Sequence, residues 1–277
     1  MDIIHNNQFL LPPKIIDCFL YNGEPIVFER LKYLYDVVDT FIITEFKETH
    51  SGTIKDEYFV DIYSKEFEPY NNKIIYLKCD KIPPIPTNWI HESQHKEWMI
   101  NKEAWWKENY QRNYAYSTST LANIKGSYVL IGCDVDEIPR KSLVETLPSL
   151  YPRLRVGAKL SMLLFYYSTK WVKPYRWTHP FVVNDIGIAS KGSLEPYRTG
   201  IACELFILQA GWHCSYFMTP EEIMKKIESF AHTEYNSDEY KNKEWIYNCI
   251  QTGEDVFNRG SNEKLIIYDG DEGYPFA

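Results

Sequence analysis

Ser127-Tyr128-Val129-Leu130-Ile131-Gly132-Cys133 runs straight into Asp134-Val135-Asp136-Glu137-Ile138-Pro139. The first seven residues carry no charge and are rich in aliphatic side chains, which predicts a buried strand. Asp134 and Asp136 then stand at its carboxyl end, one residue apart. In open α/β sheets that edge is where ligands bind. Two carboxylates so close repel one another unless a cation or other partners offset them. A hard divalent ion held by carboxylate and diphosphate oxygens answers that need, and it stabilises the charge that grows on a departing nucleotide diphosphate. The plainer alternative is a solvated turn in which Asp134 caps a helix over 141–147.

Working outward, Lys14 to Tyr21 (KIIDCFLY), Thr40 to Thr44 (TFIIT) and Asn72 to Cys79 (NKIIYLKC) predict three more strands. Val27, Leu31, Leu34 and Val38 recur at helical spacing between the first two. The strand–helix–strand order predicts an α/β fold with a mostly parallel central sheet flanked by helices. Lys81 to Trp89 is a proline-rich loop, and the stretch from His95 to Ile124 reads as helical. Downstream, Arg155 to Trp171 predicts one or two strands of a second layer. Thr219-Pro220-Glu221-Glu222 has the form of a capping box opening a helix through Ile223, Ile227 and Phe230. A further helix is predicted through Trp245, Cys249 and Ile250, ending at Gly253. The simplest organisation is one domain over 14–260, with a nucleotide-binding half (14–140), an acceptor-facing half (141–260), and extensions at 1–13 and 261–277.

Composition narrows the function. The 277-residue chain has a formal charge of -8, which disfavours general nucleic-acid binding, although a metal ion or local arginine lets an acidic protein hold a nucleotide. Aromatic residues make up 16 %, a composition that suits the apolar faces of sugars. Six scattered cysteines include no CxxC pair or zinc-ligand spacing. No signal peptide, membrane span or Asn-X-Ser/Thr sequon is readable, so the expectation is a soluble cytoplasmic protein.

Candidate partners for the acids lie on both sides. Arg112 and Asn113, upstream, are placed to reach the base or phosphates of a nucleotide, a guanidinium being well matched to phosphate oxygens. The alternative is an ordinary pair on an exposed helix. His213, within Ala210-Gly211-Trp212-His213-Cys214-Ser215-Tyr216-Phe217, is a candidate metal ligand or diphosphate donor, set against the alternative of a satisfied core histidine. Trp212 and Tyr216 alternate with it and offer a stacking face. Sugar transfer to a hydroxyl with inversion needs a carboxylate base, and Glu45, Glu137, Glu204 and Glu221 all stand as candidates.

Taken together, the blocks Lys14 to Glu24, Leu34-Tyr35-Asp36-Val37-Val38-Asp39, Asp134 to Pro139, and Ala210 to Ser215 with Thr219-Pro220-Glu221 make the chain resemble glycosyltransferase family 17. The resemblance implies an inverting, single-metal transferase of the GT-A type, with a UDP-sugar donor, a glycan acceptor, and Mn2+ or Mg2+ as the ion. The sugar would be N-acetylglucosamine or a related hexose. By position, Asp134 and Asp136 match the family's metal-binding acids, and His213 joins them by looser similarity. Phe19, Asn22, Glu24 and Glu45 join Arg112, Asn113 and Asp134 as candidate nucleotide-binding residues. The missing anchor, stem and sequons imply a bacterial or viral relative acting in the cytoplasm. Two alternatives remain: a metal-dependent phosphoryl-transfer enzyme, although no GxxxxGK[ST] loop is present, and a non-catalytic carbohydrate-binding protein.

Overall fold

The structure is a computed structural model that describes residues 11–89, 101–271 and 273–275. Its first half builds the parallel part of the sheet. Strands β1 (Lys14–Leu20), β2 (Thr40–Phe46), β3 (Ile74–Cys79) and β4 (Tyr128–Asp134) lie in the order β3-β2-β1-β4, every pair parallel. Parallel neighbours need crossovers. They are made by α1 (Ile26–Leu34), by the short helices α2 (Phe59–Ile62) and α3 (Ser64–Phe67), and by α4 (Lys102–Ser117). The strands are apolar on both faces because both are covered. Ile15, Phe19, Phe41, Ile43, Val129 and Ile131 join one core cluster, while Ile16, Cys18, Ile42 and Leu130 pack with Ala115 of α4 in another.

After β4 the character of the sheet changes. Strands β5 (Glu137–Pro139), β6 (Ala158–Tyr166), β7 (Trp171–Trp177), β8 (Phe181–Asn184), β9 (Leu205–Ser215) and β10 (Ile266–Ile267) complete it, with α5 (Lys141–Leu150), α6 (Asp185–Lys191) and α7 (Glu195–Arg198) between them. β8 runs antiparallel to β4 and β6, β7 antiparallel to β6, and β9 parallel to β6. The sheet is therefore mixed rather than mostly parallel: the short returns between β6, β7 and β8 leave no room for crossover helices. The stretch 155–171 yields β6 and the start of β7 within this same sheet, not a second layer. Within the expected C-terminal extension, β10 pairs with β7 and Leu265 is buried.

Two terminal helices close the molecule. α8 (Pro220–Ser229) carries both halves of the expected capping box between Thr219 and Glu222, and α9 (Lys243–Thr252) ends at Gly253 in the left-handed conformation. Of the 95–124 helical stretch, 95–100 lies outside the described residues and the helix observed is α4. Among the described residues, no helix is long and apolar enough to cross a membrane.

Candidate functional site

Asp134 is the last residue of β4, and Val135-Asp136 turn the chain into β5. Asp134 does not cap α5, whose N-cap is Arg140. The turn is braced from beneath by Arg30 of α1. Its guanidinium makes two bonds to Asp17 of β1, at 2.9 and 2.6 Å, and Nη1 donates to the carbonyls of Asp134, Val135 and Glu137 at 3.1, 3.2 and 2.7 Å. From above, Glu137 accepts the Asp134 N–H at 2.6 Å. β5 then pairs antiparallel with β9, setting Glu137 opposite His213 and Pro139 opposite Gly211. Only glycine fits at 211, because a Cβ there would sit 2.1 Å from the Ile138 carbonyl oxygen.

The two acids open into one cleft of about 910 Å³. All four of their carboxylate oxygens have partners. Asp134 takes Arg112 on Oδ1 at 2.8 Å and Arg198, from α7, on Oδ2 at 2.6 Å. Asp136 takes Lys226 of α8 on Oδ2 at 2.9 Å and faces His213 Nε2 from Oδ1 at 3.5 Å. Burial alone would raise both carboxyls. The two arginines override it at Asp134, and Lys226 with His213 override it at Asp136, so both are held well below the usual carboxylate range. Nearby, burial and the positive charge of Arg198 push His179, also on the cleft wall, down to about 3, so it is neutral at ordinary pH.

Of the expected metal set, Asp136 and His213 come together, and Asp134 turns instead to the arginines. Among the described residues, no group of three or more His, Cys, Asp or Glu is placed to hold a metal ion. Asn22 and Glu24, candidate nucleotide-binding residues, line the cleft, Asn22 bonding Ser229 of α8 at 2.9 Å. Arg112 lies behind the cleft wall, clamping Asp134 and Glu108. Phe19 is a core residue beneath the Arg30 guanidinium. Asn113 points away and accepts from Ser193 and Leu194, tying α4 to the segment before α7.

The expected bases fall elsewhere. Glu45 is fully buried, and its carboxylate accepts from Lys55, the Phe59 and Val60 N–H groups and Tyr76, anchoring 55–60 to β2. Glu137 is equally buried, its oxygens taken by the Asp134 N–H, Arg198 and Trp177. Glu204 is exposed ahead of β9, and Glu221 is exposed and paired with Lys243; neither lines the cleft. Arg30, Arg198 and Lys226, which hold the acids, were missed by the sequence reading. So was His232, on the cleft wall, whose Nδ1 meets Glu234 at 2.7 Å and whose ring packs edge-on against Trp105 at 4.8 Å.

Fold and site together define a class: a mixed α/β protein with a charged cleft at the carboxyl ends of its parallel strands, walled on one side by aromatic rings. The family model of Glycosyltransferase family 17 matches residues 4–263, and the chain belongs to that family. It is 23% identical to the beta-1,4-mannosyl-glycoprotein 4-beta-N-acetylglucosaminyltransferases of Rattus norvegicus and Homo sapiens over 275 residues, 88% of this chain. The alignments span 48% and 49% of those proteins, so the chain spans about half the length of the relatives it matches. Among solved structures, a 4-diphosphocytidyl-2C-methyl-D-erythritol synthase from Anaerococcus prevotii aligns at 10% identity and a TM-score of 0.37, covering 71% of this chain and 89% of that one. That score is too low to assign a fold.

Proposed function

We propose that the chain transfers a sugar from a nucleotide-sugar donor, a UDP-sugar, to a glycan hydroxyl, with the donor diphosphate at the Asp134–Asp136 turn. The observation that carries this reading is the turn itself. A family 17 chain presents two acids at the end of a parallel strand, in a cleft that also carries Arg198, Lys226 and His213. Such a site suits a GT-A-type donor half, and the aromatic wall, with Trp105, Trp177 and Tyr235, suits the acceptor sugar. N-acetylglucosamine is the first sugar to test, because the relatives' names carry it.

A divalent ion such as Mn2+ or Mg2+ fits Asp136 and His213. Their facing atoms, His213 Nε2 and Asp136 Oδ1, stand 3.5 Å apart, beyond a good hydrogen bond. Mg2+ characteristically takes one or two protein carboxylates and completes its shell with phosphate oxygens and water. Bound there, the ion supplies charge to the leaving diphosphate. The chain's own residues do the rest. Arg198 and Lys226 add fixed positive charge, and the aromatic wall excludes water. Inversion at the anomeric carbon requires a base for the acceptor hydroxyl. His232 suits that task, because Glu234 holds its Nδ1 and leaves Nε2 to accept the proton. Action in the cytoplasm is in keeping with six free cysteines.

The test is UDP release from UDP-N-acetylglucosamine and other UDP-sugars by the wild-type chain and by Asp136→Asn. Turnover lost in the variant while its melting stays cooperative is the expected result; equal turnover in both refutes the reading.

A further inference from the structure

Among the described residues, three permanent cations line the cleft, Arg198, Lys226 and Arg259, and Lys226 is the one that stands beside Asp136 with a single hydrogen bond. Arg259 gives Nε to Asp255 at 2.8 Å, and Nη2 to Asp255 and the Tyr166 hydroxyl at 2.7 and 3.1 Å. Arg198 is divided between Asp134 and Glu137. Lys226 makes one hydrogen bond, to Asp136, and its other acidic neighbour, Glu24, is 3.8 Å away, outside hydrogen-bond range. An ammonium carries three donors, so two remain. The side chain is 19% exposed and sits on α8, which Asn22 pins through Ser229.

From this geometry we propose that Lys226 is a ligand of the donor's diphosphate. Asp136 and Glu24 hold the ammonium in place until the anion arrives. The two spare N–H groups then go to phosphate oxygens, a point-charge contact that a lysine makes well. The inference rests on the donor reading above and names the residue by which the chain distinguishes a nucleoside diphosphate from a nucleoside. No bond is made or broken at Lys226; it is a binding residue.

Lys226→Gln is the variant of choice, since glutamine can still donate to Asp136 while the charge is gone. Wild type and variant are titrated calorimetrically with UDP and with uridine in MnCl2, at two ionic strengths. The expected result is UDP affinity down about tenfold or more, a weaker salt dependence, and uridine affinity unchanged. UDP affinity that is unchanged, or that falls in step with uridine, overturns the proposal, because a purely structural role would weaken both ligands alike. Wild-type protein that binds neither ligand removes the donor reading itself. A Lys226→Arg chain that keeps the wild-type preference for UDP over uridine adds support.

Discussion

Arg30 and Asp17 form an ion pair at 2.6 Å with neither side chain exposed to water, and the same guanidinium supports three carbonyls of the turn that carries the acids. Arg30 and Asp17 thus fix the backbone of the site without lining the cleft themselves. Arg30→Met leaves Asp17 buried and unpaired, and breaking such a pair costs about 3–5 kcal/mol. Urea denaturation of the variant is expected to show that loss; a change under about 1 kcal/mol would show the brace to be dispensable.

Gly211 lets β5 and β9 come together. Gly211→Ala brings a methyl against the Ile138 carbonyl, an overpacking that costs about 3 kcal/mol. Because Glu137 is paired with His213 two residues along, the variant is also expected to lose donor turnover by more than its stability accounts for. Single-site kinetics on the folded fraction checks this.

Lys159 gives the stability a pH signature. Its ammonium is buried against the carbonyls of His179 and Arg198. Burial, with the neighbouring charge of Arg198, lowers its pKa from 10.5 to about 7. Between those values the unfolded chain binds the extra proton, so stability rises with pH across the window. Comparing denaturation near neutrality and near pH 9–10 is expected to show that rise in wild type and a smaller one in Lys159→Met. Equal slopes would place Lys159 outside the linkage.

Glu45 and His232 separate anchor from base. Glu45→Gln is expected to lower stability by about 1–3 kcal/mol, through mismatched buried partners, with kcat little changed. His232→Gln should do the reverse: melting near wild type and kcat down about 100-fold or more. A wild-type kcat for His232→Gln would remove it from the chemistry.

The parts of the fold that were legible in the sequence are those set by local pattern. The apolar runs of β1, β2, β3 and β4, the Thr219 cap and the Gly253 stop each depend on neighbours a few residues away. The antiparallel half was not legible, because the strand pattern of Arg155–Trp171 says nothing about which strand it will lie beside. Of the candidate site, the position of Asp134 and Asp136 at the end of β4 was legible from the apolar run before them, and His213 shares their cleft. The glutamates named as bases lie away from the open cleft; a glutamate at a strand end looks the same in sequence whether it faces a cleft or, like Glu45, accepts three bonds from residues 55–60 and one from Tyr76 of β3. Lys226 and Arg198 sit in unremarkable helical surroundings, and only tertiary structure shows which acids they face.

The ion pairs of the turn span very unequal lengths of chain. Arg112 lies 22 residues from Asp134, Arg198 lies 64 from it, and Lys226 lies 90 from Asp136. Loops of that size close late and slow folding. During synthesis Asp134 therefore gains its first guanidinium as soon as β4 forms, while Asp136 stays without its lysine until α8 has emerged. A nascent chain halted before α8 would hold Asp134 with both its arginines and Asp136 with His213 alone, so the cleft is completed only as α8 docks.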